Sequence, residues 1–134
     1  MSLYMLDTNA VSAAMRGNPL MDERLLQLDA ADWCISAVTH SEICYALALR
    51  SETTTLIRAA EAFFALAITL AWDAAAATAH GRLRAQLRQA GTPIGDYDEM
   101  IAAHALSLGA VLVTDNERHF RRISGLLVEN WVRS

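Results

Sequence analysis

The stretch Leu3-Tyr4-Met5-Leu6-Asp7-Thr8-Asn9 decides the fold. Its apolar run ends at a carboxylate, and a helical pattern follows at once. That order reads as a buried strand with an acid at its C-terminal end. In an open parallel sheet this is the edge where ligands bind. Glu42 and Asp98 stand in comparable places, each just inside the start of a predicted helix. Pointed into one cleft, Asp7, Glu42 and Asp98 form an all-oxygen nest suited to a divalent cation.

Working outward, Trp33-Cys34-Ile35-Ser36 reads as a second strand and Ile68-Thr69-Leu70 as a short third. Ala110-Val111-Leu112-Val113-Thr114 is the strongest strand pattern in the chain, and Leu126-Leu127-Val128 is a final edge strand. Between them the periodicity predicts a short helix after Asn9 and further helices over 19–30, 39–50, 53–67, 73–89 and 96–108. Asp73 is placed as the cap that opens the fifth of these, and Gly91 and Gly109 as stops. Strands alternating with helices predict one domain over residues 1–134. Its expected architecture is a three-layer α/β/α sandwich with a mainly parallel central sheet.

A chain of 134 residues with 54% hydrophobic and 19% charged residues is long enough and apolar enough for a real core. No apolar run reaches the roughly 18–20 residues of a membrane helix. No secretory leader pattern opens the chain. The two cysteines, Cys34 and Cys44, make no disulfide framework, which points to a reducing, cytoplasmic setting. The net charge of −4 argues mildly against a nucleic-acid partner. All the basic residues are Arg, which fits codon bias as well as it fits bidentate phosphate contact.

Each acid also has a purely structural reading. Thr39 and Glu42 match a capping box, as do Asp96 and Glu99. Asp98 lies in a first helical turn, where any carboxylate is favoured. Asp7 is suited to capping the helix after it. Adjacent parallel strands place Asp7 and Glu42 on one sheet edge. Spacing alone does not bring Asp98 there.

The ordered pieces Met5-Leu6-Asp7-Thr8-Asn9, Ile35 to Ile43, Pro93-Ile94-Gly95-Asp96-Tyr97-Asp98, Ile101-Ala102-Ala103-His104-Ala105, Val113-Thr114-Asp115-Asn116 with Phe120, and Glu129-Asn130-Trp131 span nearly the whole chain. In this order and spacing the chain resembles a PIN-domain nuclease, and more closely the VapC toxins of bacterial toxin–antitoxin pairs. The resemblance implies that Asp7, Glu42 and Asp98 bind Mg2+ or Mn2+. It implies that Thr8 and Asn9 hydrogen-bond the site carboxylates. The fourth family position falls at Asn116, with Asp115 beside it, and either is expected to orient a metal-bound water. Close relatives usually carry Pro two residues before Asp98. Here Asp96 stands there, either as a helix cap or as a ligand of a second ion. The resemblance further implies RNA hydrolysis, a VapB-like antitoxin that covers the cleft, and a homodimer. The apolar helices 19–30 and 53–67 are candidate interfaces.

Arg118, Arg121 and Arg122 follow the strand edge that carries the site and are candidate RNA contacts. Arg82, Arg84 and Arg88 lie on or near one predicted helix and are candidates to meet phosphates too, with a solvated face the plainer reading for Arg84. A zinc site from His40, Cys44 and Cys34 lacks a fourth ligand. His80 and His104 read as packed helix residues, His119 as a surface residue near the Arg cluster with RNA contact as its alternative, and Trp33, Trp72 and Trp131 as core. Two rival functions stay open. One is a metal-independent ribonuclease using His40 or His119 as acid and base. The other is a non-catalytic RNA-binding scaffold. Asp7-Thr8-Asn9 lacks the Gly of aspartic proteases and the second Asp of strand-end phosphatases.

Overall fold

The computed structural model describes residues 2–50 and 54–133. Five strands form one sheet: β1 (Tyr4–Leu6), β2 (Trp33–Ser36), β3 (Thr69–Leu70), β4 (Val111–Val113) and β5 (Leu127–Glu129). The helices are α1 (Thr8–Met15), α2 (Pro19–Leu26), α3 (Ala37–Leu49), α4 (Thr54–Leu66), α5 (Ala74–Gln89), α6 (Asp96–Leu108) and α7 (Glu117–Phe120), with a 3-10 turn over Ala30–Asp32. Residue 53, where the fourth helix was expected to begin, lies outside the described residues.

The strand order is β3-β2-β1-β4-β5, and every pairing is parallel. From β1 the chain builds outward through β2 and β3, then returns to add β4 and β5 on the other side. The order therefore reverses between β1 and β4, and crevices open at such a point beyond the strand C-termini.

Alternation along the strands separates two cores. Met5, Cys34 and Leu112 face α5, α6 and Phe120 of α7 through Leu83, Leu87, Ile101 and Ala105. Leu6, Trp33, Ile35 and Val113 face α1, α2 and α4 through Val11, Met21, Ala60 and Phe63. α3 crosses between the layers, with Val38 in the first core and Ile43 in the second. The three-layer sandwich is thus present, and Trp33 and Trp131 are buried in the second core.

Three helix boundaries differ from the sequence reading by two residues or more; at the first, α1 starts at Thr8 rather than after Asn9, because Asp7 caps it. α2 stops at Leu26, because the chain tightens into the 3-10 turn before β2. α3 starts at Ala37, directly after β2, with the Ser36 hydroxyl accepting from Val38 N at 3.1 Å. The expected Thr39–Glu42 capping box is therefore absent. Thr39 is fully buried inside the helix, and its hydroxyl has no partner among the described residues. The second expected box is also absent. Gly95 is the N-cap of α6, and Glu99 reaches back to the Ile94 amide at 3.1 Å, leaving Asp96 exposed and uncapping.

Candidate active site

Asp7 leaves β1 and caps α1, its Oδ1 accepting from Ala10 N at 2.8 Å. Its own amide donates to Val113 O of β4 at 3.0 Å, so Asp7 sits at the reversal point of the sheet. Thr114, fully buried, continues β4 beside it. Glu42 projects from the second turn of α3 and accepts the Thr8 hydroxyl at 2.5 Å, which ties α3 to the start of α1. Asp98 is in the first turn of α6 and receives no hydrogen bond among the described residues.

α6 and α3 are joined beneath the site. His104 of α6 is 1% exposed and lies 2.9 Å from the Ser36 hydroxyl, the N-cap of α3. This buried link positions Asp98 against Glu42. His104 is thus the packed histidine the sequence suggested, and burial lowers its pKa.

Electrostatics show that the three acids share one environment. Asp7 is 2% exposed and its pKa is raised to about 6. Burial is the main cause, Asp98 and Glu42 add repulsion, and Thr114 and the Ala10 amide pull the other way. Asp98 is raised as well, first by burial and next by Glu42, while His119 pulls it down. Among the described residues the ion pairs are Arg24–Glu129, Arg121–Glu117 and Arg133–Asp115, so no cationic side chain neutralises the cluster. Repelling carboxylates without a counter-charge call for a cation or a shared proton.

Among the described residues no three Asp, Glu, His or Cys side chains converge tightly enough to cage one ion as they stand. The donor set nevertheless fits Mg2+ or Mn2+. Such ions take hard oxygen ligands and complete their shell with water, so they do not need an all-protein cage. Three carboxylates without a cationic partner, one of them free of hydrogen bonds, supply that chemistry.

Other expected site residues fall elsewhere. Asn9 is exposed on α1 and hydrogen-bonds no carboxylate among the described residues, because the first helical turn points it outward. Asp115 turns away to a bidentate pair with Arg133, at 2.6 and 2.9 Å, and also accepts from Asn130 at 3.0 Å. Its pKa is lowered mainly by Arg133. Of the two residues expected to orient a water, Asp115 is thus engaged by Arg133, and Asn116 lies against His119. Arg121 is paired with Glu117 at 2.7 Å, whereas Arg118 and Arg122 are exposed and make no ion pair among the described residues. Of the expected zinc ligands, Cys34 is buried in β2 with its thiol pushed up to about 12, and His40 stacks on Phe64 at 4.2 Å. His119, which the sequence offered as a surface residue or as an acid or base, is placed near the acids. It lies 2.8 Å from Asn116 and close enough to Asp98 to affect its ionisation.

A five-stranded parallel sheet with acids gathered at its reversal point defines an α/β sandwich protein. A PIN domain model matches residues 4–126, and the chain belongs to the PIN-domain family. Within it, the chain is similar to the VapC ribonucleases. It is 38% identical to the tRNA(fMet)-specific endonuclease VapC of Shigella flexneri over 96% of this chain and 97% of that one. It is 35% identical to ribonuclease VapC2 of Haemophilus influenzae over 96% and 98%. Among solved structures, VapBC2 of Rickettsia felis, bound to a promoter DNA fragment, superposes with a TM-score of 0.87 at 31% identity, covering 96% of this chain and 98% of that one. DNA-bound VapBC of Salmonella typhimurium gives 0.86 at 38% identity, covering 98% and 99%.

Proposed function

We propose that this chain is a metal-dependent endoribonuclease, the toxin of a toxin–antitoxin pair, hydrolysing RNA phosphodiesters in the bacterial cytoplasm. One observation carries the reading. Asp7 and Asp98, far apart in sequence, both feel repulsion from Glu42, and Asp7 also from Asp98, at a single sheet edge where no arginine pairs with them. The similarity to relatives named as ribonucleases supports the choice of substrate.

Asp7, Asp98 and Glu42 would hold the ion. Bound Mg2+ or Mn2+ supplies a Lewis acid for the phosphodiester and acidifies a water. The chain's own residues set up that chemistry. Thr8 fixes Glu42, and the Ala10 amide fixes Asp7. Asp98 stays free of competing hydrogen bonds. Asn116, on the neighbouring strand end, orients the attacking water. Arg118 and Arg122 meet flanking phosphates.

The proposed protein partner is a VapB-like antitoxin, in keeping with the VapBC complexes this fold resembles. An apolar groove of about 660 Å³ between α2 and α4, lined by Leu25, Leu28, Trp33 and Phe63, would seat it, with Leu26 86% and Leu66 72% exposed at its rim. A second copy would use the outer face of α3, where Tyr45 and Leu49 stand 68% and 67% exposed. Among the described residues no helix is long and apolar enough to cross a membrane.

The test is RNA cleavage in Mg2+ or Mn2+ against cleavage in excess EDTA, with Asp7→Asn and Asp98→Asn as variants. Cutting should cease in EDTA and fall by about 10²-fold or more in both variants, provided they remain folded. Cutting that survives EDTA overturns the metal mechanism in favour of histidine chemistry. Intact RNA binding with no Mn2+ binding would instead support a scaffold.

A further inference from the structure

His119 is a basic group placed at the acid cluster, and its position is built rather than incidental. The Asp7 amide donates to Val113 O, and Thr114 follows in the chain. The Thr114 hydroxyl accepts from Asn116 N at 2.9 Å, which turns the backbone into α7. One turn on, His119 Nδ1 lies 2.8 Å from Asn116 Nδ2. The next residue, Phe120, is fully buried and pins α7 to the sheet. A chain of short contacts thus runs from Asp7 to His119, and each link fixes the next.

The Asn116 contact also sets the ring's tautomer. An amide nitrogen only donates, so Nδ1 accepts, and the neutral ring carries its proton on Nε2. Nε2 makes no hydrogen bond among the described residues, and the ring is half-buried rather than solvated. A fixed, unpaired N–H beside a carboxylate cluster suits an acceptor that arrives with the substrate. A phosphodiester brought to this site presents such oxygens, and the surrounding acids repel its charge.

We propose that His119 is a catalytic residue that donates its Nε2–H to an oxygen of the scissile phosphodiester, with Asn116 as the positioning residue that holds the ring. This rests on the nuclease reading above and adds to it a protein donor separate from the metal ligands. Donors aimed at charge that develops in the transition state contribute strongly in a partly desolvated site.

The experiment compares wild type with His119→Ala, His119→Gln and Asn116→Ala, with Asp98→Asn as reference. In Mg2+, His119→Ala should lower kcat by about 10²-fold. His119→Gln, which keeps a donor, should recover part of that loss, and Asn116→Ala should lower kcat as well, because it frees the ring and removes the group that orients the water. Binding of Mn2+ alone, followed by calorimetry, should stay within about twofold of wild type in His119→Ala. Binding of a single-stranded RNA oligonucleotide in EDTA, followed by anisotropy, should weaken about fivefold. Near-wild-type cutting by His119→Ala beside an inactive Asp98→Asn overturns this inference and leaves the nuclease reading intact. Loss of Mn2+ binding in His119→Ala overturns it too, because His119 would then be a metal ligand. If wild type cuts no RNA, the nuclease reading falls, and unchanged oligonucleotide binding by His119→Ala removes the phosphate contact with it.

Discussion

Asp7 carries two roles that pull against each other. Its Oδ1 caps α1, which favours the fold, while burial of its charge opposes it. The pKa rises from 3.8 to about 6, a difference worth roughly 3 kcal/mol. The sign follows from linkage: the folded protein binds this proton more tightly than the unfolded chain does. The contribution is therefore fully present below about pH 4 and is lost as pH rises through about 6. In EDTA, a carboxyl titration by NMR should find Asp7 near 6. Asp7→Asn keeps a capping oxygen and discards the buried charge, so at pH 7 in EDTA it should be more stable by about 1–3 kcal/mol while failing to cut RNA. Equal or lower denaturant stability in that variant would sink this account. Glu42 shows the opposite economy. Its expected capping duty falls away because Ser36 has already capped α3, and its recorded partner is Thr8.

Each site residue depends on where a short element starts. α6 begins at Gly95 with φ 110 and ψ 147, a region essentially reserved for glycine. Asp98 is three residues further on, so the turn at Gly95 sets its approach to Glu42. A Cβ at Gly95 would touch nothing within 4 Å, so the cost of Gly95→Ala is backbone strain alone, about 1–3 kcal/mol. Cutting should fall by more than the stability loss explains as the first turn of α6 shifts. Gly81 makes the matched control. It lies within α5, also with open space around its Cα, and Gly81→Ala should stabilise by about 0.5–1 kcal/mol with cutting unchanged. Thermal melts with parallel cleavage assays read both variants. Unaltered cutting by a folded Gly95→Ala protein would break the link between this turn and Asp98.

At the scale of the molecule, the two cores hold a sheet edge where three negative charges are kept close. Net charge is −4, and the cluster supplies much of that excess at one place. An ion that binds the folded chain and not the unfolded one stabilises by mass action, about 2.7 kcal/mol at one hundred times its Kd. Mn2+ should therefore raise the melting temperature of wild type and leave Asp98→Asn nearly unmoved. EDTA should reverse the rise. Identical melts with and without Mn2+ would rule out a cation at these acids.

Much of this was legible in residue order. Four of the five strands are short apolar runs, and the caps at Asp7 and Asp73 are side-chain chemistry acting within three residues. Such signals are local, so sequence alone determined the alternating elements, the α/β class and the acid ending the first strand. The start of α3 was misread because Ser36 and Thr39 are both competent caps, and only pairing of β2 within the sheet shows that the strand ends at Ser36. His119 is legible as a candidate acid or base, but its nearness to Asp98 could not be read from the sequence, because Asp98 comes from α6 and meets it only in the folded chain. Asp115 and Asn116 are adjacent and chemically alike, yet one pairs with Arg133 and the other contacts His119. Tertiary structure alone decided these, because the chain order specifies which groups exist, whereas packing around a shared sheet specifies which of them meet.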